Sequence, residues 1–85
     1  MRNQGSVLVV EDDEALRAAL CDTINYGGYR AVSACNGAEA LKRLESEPID
    51  MVISDVQMEG IGGLGLVNYL QQHHSQLPIL LMTAF

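Results

Sequence analysis

Val7-Leu8-Val9-Val10 contains no polar residue, and the run, entered from Ser6, stops abruptly at Glu11-Asp12-Asp13-Glu14. A strand with one wet face alternates apolar and polar side chains. This one does not, so it is expected to be buried on both faces, as in a parallel sheet with helices above and below. From Glu14 the apolar positions change to helical spacing, which puts Leu16, Ala19, Leu20, Thr23 and Ile24 on the predicted inward face. Acidic residues at the start of that helix complement the positive end of its dipole, and Gly27-Gly28 supplies a C-cap.

The same alternation continues down the chain. A second strand fits residues 29–35. Asn36-Gly37-Ala38-Glu39 then reads as a capping box, with Asn36 as N-cap and Glu39 three residues on. The helix it opens turns Ala40, Leu41 and Leu44 inward, and Pro48 lies beyond its end. A third apolar strand, residues 49–54, again runs into a carboxylate, Asp55. A glycine-rich loop, residues 58–63, leads into a third helix over 64–74 with Leu66, Val67 and Leu70 on one face. Residues 77–82 form a fourth apolar strand before Thr83-Ala84-Phe85. The order β-α-β-α-β-α-β, with short right-handed crossovers, predicts one doubly wound α/β domain around a parallel sheet. The ligand site of such a sheet lies outside the carboxyl ends of its strands, where the strand order reverses.

Composition removes several function classes. Eighty-five residues, 48% of them hydrophobic, suffice for one small core. Five Lys+Arg against eleven Asp+Glu give a net charge of −6, the wrong sign for gripping nucleic acid or an anionic membrane unaided. No apolar run approaches the roughly 20 residues of a membrane-spanning helix, and the first six residues do not read as a secretory signal. Cys21 and Cys35 are too few for a disulfide scaffold and have no zinc-like neighbours. A cytoplasmic chain with reduced thiols is expected.

The strand ends concentrate the chemistry. The first strand delivers Glu11, Asp12 and Asp13, the third delivers Asp55, and the fourth delivers Thr83. If the first and third strands are neighbours, carboxylates converge on one crevice. Their repulsion is relieved by a shared proton or a hard cation. With oxygen ligands only, magnesium or manganese suits the site. The plainer alternative is that residues 11–14 only cap the following helix and that Thr83 bonds backbone; the second strand-end carboxylate, Asp55, then needs its own explanation.

Residues 7–13, then Ser54-Asp55-Val56-Gln57-Met58 with Gly63, then Leu80-Leu81-Met82-Thr83-Ala84, together resemble the receiver domain of bacterial two-component response regulators. Within that family the segment is most similar to enhancer-binding transcription activators of the nitrogen-regulation and flagellar type. The resemblance implies a flavodoxin-like fold and makes Asp55 the phosphoacceptor, phosphorylated by a sensor histidine kinase or a small phosphodonor. It assigns Asp12 as a direct magnesium ligand, Glu11 as a ligand through water, and the Gln57 main-chain carbonyl as a further ligand. It has Thr83 donate its hydroxyl, and Ala84 its main-chain N–H, to the phosphoryl group. Asp13 is left to the start of the helix. Phosphotransfer of this kind is self-catalysed and not turnover by an enzyme, and its transcriptional outcome would pass through output domains outside these residues.

Three departures accompany the resemblance. Glu59 stands where receivers commonly carry Pro, and Gly62 where they often carry Asp. The family's lysine and switch aromatic lie on a fifth strand that these 85 residues do not reach, so the segment is expected to be the N-terminal part of a receiver with impaired phosphotransfer. Lys42, the only lysine, sits on a helix and cannot replace it. The fourth strand is then expected to be an exposed edge that recruits another chain.

The remaining features read as structure. His73-His74 suit a helix C-terminus better than a metal site or phosphorelay. Cys21 and Cys35 read as small packing residues, and Tyr26 and Tyr29 as edges of the core. No Gly-Lys-Ser/Thr follows Gly60-Ile61-Gly62-Gly63, which excludes a nucleotide-binding P-loop. Two other functions stand beside the phosphoacceptor: a non-phosphorylatable dimerisation or strand-exchange module, and a phosphatase of the haloacid dehalogenase class. The last wants a second Asp where Gln57 stands.

Overall fold

The computed structural model describes residues 5–57, 60 and 62–82. Seven elements alternate along the chain: β1 Ser6–Val10, α1 Glu14–Tyr26, β2 Arg30–Ala34, α2 Gly37–Ser46, β3 Met51–Asp55, α3 Gly63–His73 and β4 Ile79–Met82. The four strands form one sheet in the order β2-β1-β3-β4, and every pairing is parallel. The unbroken apolar run is an internal strand of the sheet, and it is buried as expected. Its Leu8, Val9 and Val10 are fully buried.

Alternate residues of the strands face opposite sides. Leu8, Val10, Val32, Ala34 and Val52 pack with Ala40 and Leu44 of α2 and with Leu66 and Leu70 of α3. Removing each large apolar side chain from water contributes about 1.5–3 kcal/mol, so this face carries most of the stability. The opposite face holds Val7 and Val9 under α1. Beside α1, an apolar groove of about 330 Å³ is lined by Val7, Ile24, Tyr29, Met51 and Ile53.

Several element ends differ from expectation by a residue or two, each for a hydrogen-bonding reason. Tyr29 N–H donates to the Ile24 carbonyl at 3.2 Å, so it closes α1 and does not open β2. Gly28 makes that turn with φ +96°, a left-handed conformation that glycine tolerates. Cys35 N–H leaves the ladder for the Glu39 carboxylate at 2.6 Å. Leu77 N–H closes a turn on the His74 carbonyl at 2.9 Å, which delays β4 to Ile79. α3 begins one residue early, at Gly63, and ends at His73.

The inward face of α1 needs a larger correction. No α1 residue is buried; Leu16 is 39% exposed, and Ala19 and Thr23 are exposed too. The stripe that faces the sheet is Arg17, Leu20, Cys21 and Ile24, a different i, i+3, i+4, i+7 set. The tyrosine expectation holds for one of the two: Tyr26 is 94% exposed, whereas Tyr29, 54% exposed, still lines the apolar groove at the edge of the sheet. His73 does lie in the last turn of α3, with its ring stacked on Tyr69 at a centroid distance of 4.5 Å.

Candidate metal and phosphoacceptor site

The strand order reverses between β1 and β3, because the chain leaves β1 for β2 on one side and returns to β3 on the other. The crevice expected at such a reversal opens at the carboxyl ends of these two strands. Glu11 directly follows β1, and Asp55 is the last residue of β3. One carboxylate oxygen each from Glu11, Asp12 and Asp55 lies within 4.8 Å of the others. Among the described residues this is the one such cluster of possible metal ligands, and neither His73 nor His74 belongs to one.

Local bonding explains how the three acids are held together. Glu11 N–H extends the sheet by donating to the Ala34 carbonyl at 3.1 Å. Its side chain is buried, 3% exposed, and Oε2 accepts the Asp13 N–H at 3.0 Å. Asp13 then caps α1 by accepting the Leu16 N–H at 3.0 Å, as its position at the helix start predicted. Asp12, exposed, is left between these two anchors. On β3, Ser54 is fully buried and its hydroxyl donates to the Asp55 carbonyl at 3.0 Å. The half-buried Asp55 accepts the Gln57 N–H at Oδ1, 3.2 Å, in an Asx-type turn that orients the carboxylate. Gln57 itself is exposed just beyond the strand.

Electrostatics favours a counter-charge at the cluster. Burial pushes the Glu11 carboxyl above its ordinary value; the charges of Asp55 and Asp12 add to this, and the Asp13 N–H opposes it. Two unit charges 4.8 Å apart repel by roughly 1 kcal/mol in water and about 3.5 kcal/mol at an effective dielectric of 20. An all-oxygen donor set with excess negative charge fits a hard divalent cation. Helix capping alone accounts for Asp13 and leaves the convergence of the other three unexplained.

The approach of α3 completes the site. Gly63 N–H donates to the Val56 carbonyl at 3.0 Å, so the helix starts directly against the end of β3. A Cβ on Gly63 would come within 2.6 Å of the Asp55 carbonyl oxygen. Gly62, where the departure from Asp was noted, is the α3 N-cap, and no side chain caps that helix. Lys42 lies exposed on α2. Thr83, Ala84, Met58 and Glu59 lie outside the described residues.

Two contacts had no part in the sequence reading. The Arg17 guanidinium donates from Nη1 to the Glu11 carbonyl at 2.9 Å; a cation one turn into the helix that follows an acidic strand end was the available signal. The α2 capping box is displaced by one residue. Asn36 accepts the Glu39 N–H at 2.8 Å, but Glu39 reaches back to the Cys35 N–H.

A flavodoxin-like α/β domain with an oxygen-only acidic crevice at its switch point is thus what the chain builds. Residues 7–85 match the family model for the response regulator receiver domain. The chain is 46% identical over 79 residues to the response regulator protein FleR of Pseudomonas aeruginosa, covering 93% of this chain and 17% of that protein. It is 38% identical over 81 residues to the DNA-binding transcriptional regulator NtrC of Escherichia coli, covering 95% and 17% respectively. The solved structure of response regulator protein TrrA from Thermotoga maritima, in complex with Mg2+-BeF, superposes with a TM-score of 0.91 at 35% identity, over 96% of this chain and 71% of that one. A response regulator receiver protein from Pseudomonas putida gives 0.90 at 28% identity, over 98% and 70%. The chain belongs to the response regulator receiver domain family. It spans about a sixth of the length of the two curated relatives named.

Proposed function

We propose that Asp55 accepts a phosphoryl group from a phosphohistidine of a sensor histidine kinase, in a reaction that depends on Mg2+ or Mn2+. The observation that carries this reading is the convergence of Glu11, Asp12 and Asp55 at the switch point of the sheet. The ion would be held by Asp12, Asp55, the Gln57 main-chain carbonyl and, through water, Glu11. When bound it supplies neutralisation of the phosphoryl oxygens. The Gln57 N–H holds Asp55 Oδ1 and so turns the carboxylate toward the crevice. An Asp55 oxygen attacks the phosphorus in line, the P–N bond breaks, and the imidazole leaves with the electron pair and takes a proton from solvent. The product is an acyl phosphate on Asp55. A carboxylate nucleophile needs no general base, which suits a crevice built of acids. Thr83 and the Ala84 main-chain N–H are proposed to bond the phosphoryl oxygens.

The regulatory setting is a cytoplasmic receiver that acts on transcription through output domains and makes no nucleic-acid contact of its own. The similarity to the DNA-binding transcriptional regulator NtrC supports this setting, and flagellar genes are one proposed target class. Phosphotransfer is proposed to be self-catalysed. A second reading rests on β4, which among the described residues is the outer strand of the sheet and leaves Leu80 52% exposed: chains are proposed to self-associate along this edge. Incubation with acetyl phosphate and Mg2+, followed by intact mass, tests the first reading. A gain of one phosphoryl group that Asp55→Asn abolishes supports it, and a folded sample that gains none refutes it. Sedimentation that stays monomeric at high concentration refutes the second.

A further inference from the structure

Asp12 contributes to the acidic crevice although its own side chain is exposed, so something other than burial must hold it there. The two carbonyls that flank it are both gripped by one residue. Arg17 N–H donates to the Asp13 carbonyl at 2.8 Å as the first regular bond of α1. Its guanidinium reaches back past that turn, and Nη1 donates to the Glu11 carbonyl at 2.9 Å. The stem of Arg17 lies half-buried on the sheet-facing stripe of α1, so the reach is not that of a free surface side chain.

We propose that Arg17 is a positioning residue for the divalent cation: by holding the Glu11 and Asp13 carbonyls together, it presents the Asp12 carboxylate beside Asp55. The proposal rests on the metal-dependent reading of the site. Three mutually repelling carboxylates splay apart when their backbone is free to move. A cation then has to reassemble them, at a cost to its affinity. Groups that orient metal ligands typically change affinity by tenfold or more when removed. The guanidinium bond of Arg17 goes to a main-chain carbonyl and not to a ligand carboxylate.

The sign of the effect separates positioning from charge. A cation that acted only through its field would compete with the metal, and its removal would tighten metal binding. Loss of positioning weakens it. Mn2+ affinity of the folded chain, read by electron paramagnetic resonance of the free ion, is measured for wild type, Arg17→Met, Arg17→Lys and Asp12→Asn. Arg17→Met is expected to bind roughly tenfold more weakly, with Arg17→Lys, which keeps one donor, recovering part of the loss. Should the methionine variant fail to fold, Arg17→Gln, too short to reach the carbonyl, takes its place. Unchanged or tighter binding in the uncharged variant overturns the proposal. Wild type that binds no Mn2+, or binding that Asp12→Asn leaves untouched, sinks the metal-site reading beneath it instead.

Discussion

Gly63→Ala tests how closely the phosphoacceptor strand and α3 are fitted. An alanine Cβ there would stand 2.6 Å from the Asp55 carbonyl oxygen, 2.8 Å from Val56 Cα and 3.1 Å from Leu81 Cδ2, where real Cβ contacts essentially never fall under 3.0 Å. Leu81 can rotate away. The two main-chain atoms cannot, because Val56 is tied to β4 through Met82 at 2.9 Å and to Gly63 itself at 3.0 Å. Relief therefore needs the start of α3 to back off from β3 by about half an ångström. Overpacking of this kind costs about 1–3 kcal/mol. The smaller conformational freedom of alanine in the unfolded chain offsets about 0.4–1 kcal/mol. The expected net loss is about 1–2 kcal/mol. With a urea slope of about 1–1.5 kcal/mol/M for a domain this small, the midpoint falls by about 1 M. Far-UV circular dichroism follows the transition, since the chain has no tryptophan. The amide resonances of Asp55, Val56 and Gln57 should shift in the same variant, while those of Asn25 and Gly28 should not. A midpoint at or above wild type, with Asp55 to Gln57 unmoved, refutes the reasoning.

Glu11→Gln should stabilise the metal-free protein at neutral pH. The folded carboxyl is raised above 4.5, so its contribution is fully present below that value and is lost as pH rises through the raised one. The variant's advantage in thermal midpoint should therefore shrink toward pH 4, and an advantage that grows on acidification would contradict the assignment. Mg2+ should raise the wild-type midpoint, by about 1.4 kcal/mol of stability at ten times its dissociation constant, with reversal by chelation and no response in Asp55→Asn at the same concentration. Asn36→Ala removes the α2 cap and should cost about 1 kcal/mol in urea titration; a loss below a few tenths would show that the Glu39–Cys35 half of the motif holds the helix alone. Gly62→Ser gives α3 the side-chain cap it lacks, on extended backbone at φ −80° that serine accepts. It should gain about 0.5–1 kcal/mol from the cap and the stiffer unfolded chain, which the same titration would detect.

Some of this molecule follows from residue order alone. An apolar run without alternation has no wet face, so β1 was expected to be buried on both faces in a parallel sheet. Every strand that runs into a carboxylate delivers it to the same end of a parallel sheet, so Asp55 and the Glu11–Asp12 pair were legible at one end, and the pairing of β1 with β3 made them neighbours. Asp13, Asn36 and the glycine turn declared the helix ends because capping is a local matter, settled within three or four residues. What residue order did not decide depended on the angle at which packed elements meet. Leu16, Ala19 and Thr23 have the same spacing as the true inward stripe. Only the way α1 lies on the sheet turned Arg17, Leu20, Cys21 and Ile24 toward it and left Tyr26 in solvent. The ends of β2 and β4 moved because Cys35 and Leu77 found nearer acceptors than the ladder offered. The grip of Arg17 on Glu11 and the contact of Gly63 with Asp55 exist only once helix and strand are placed together, since each joins groups that no local pattern relates.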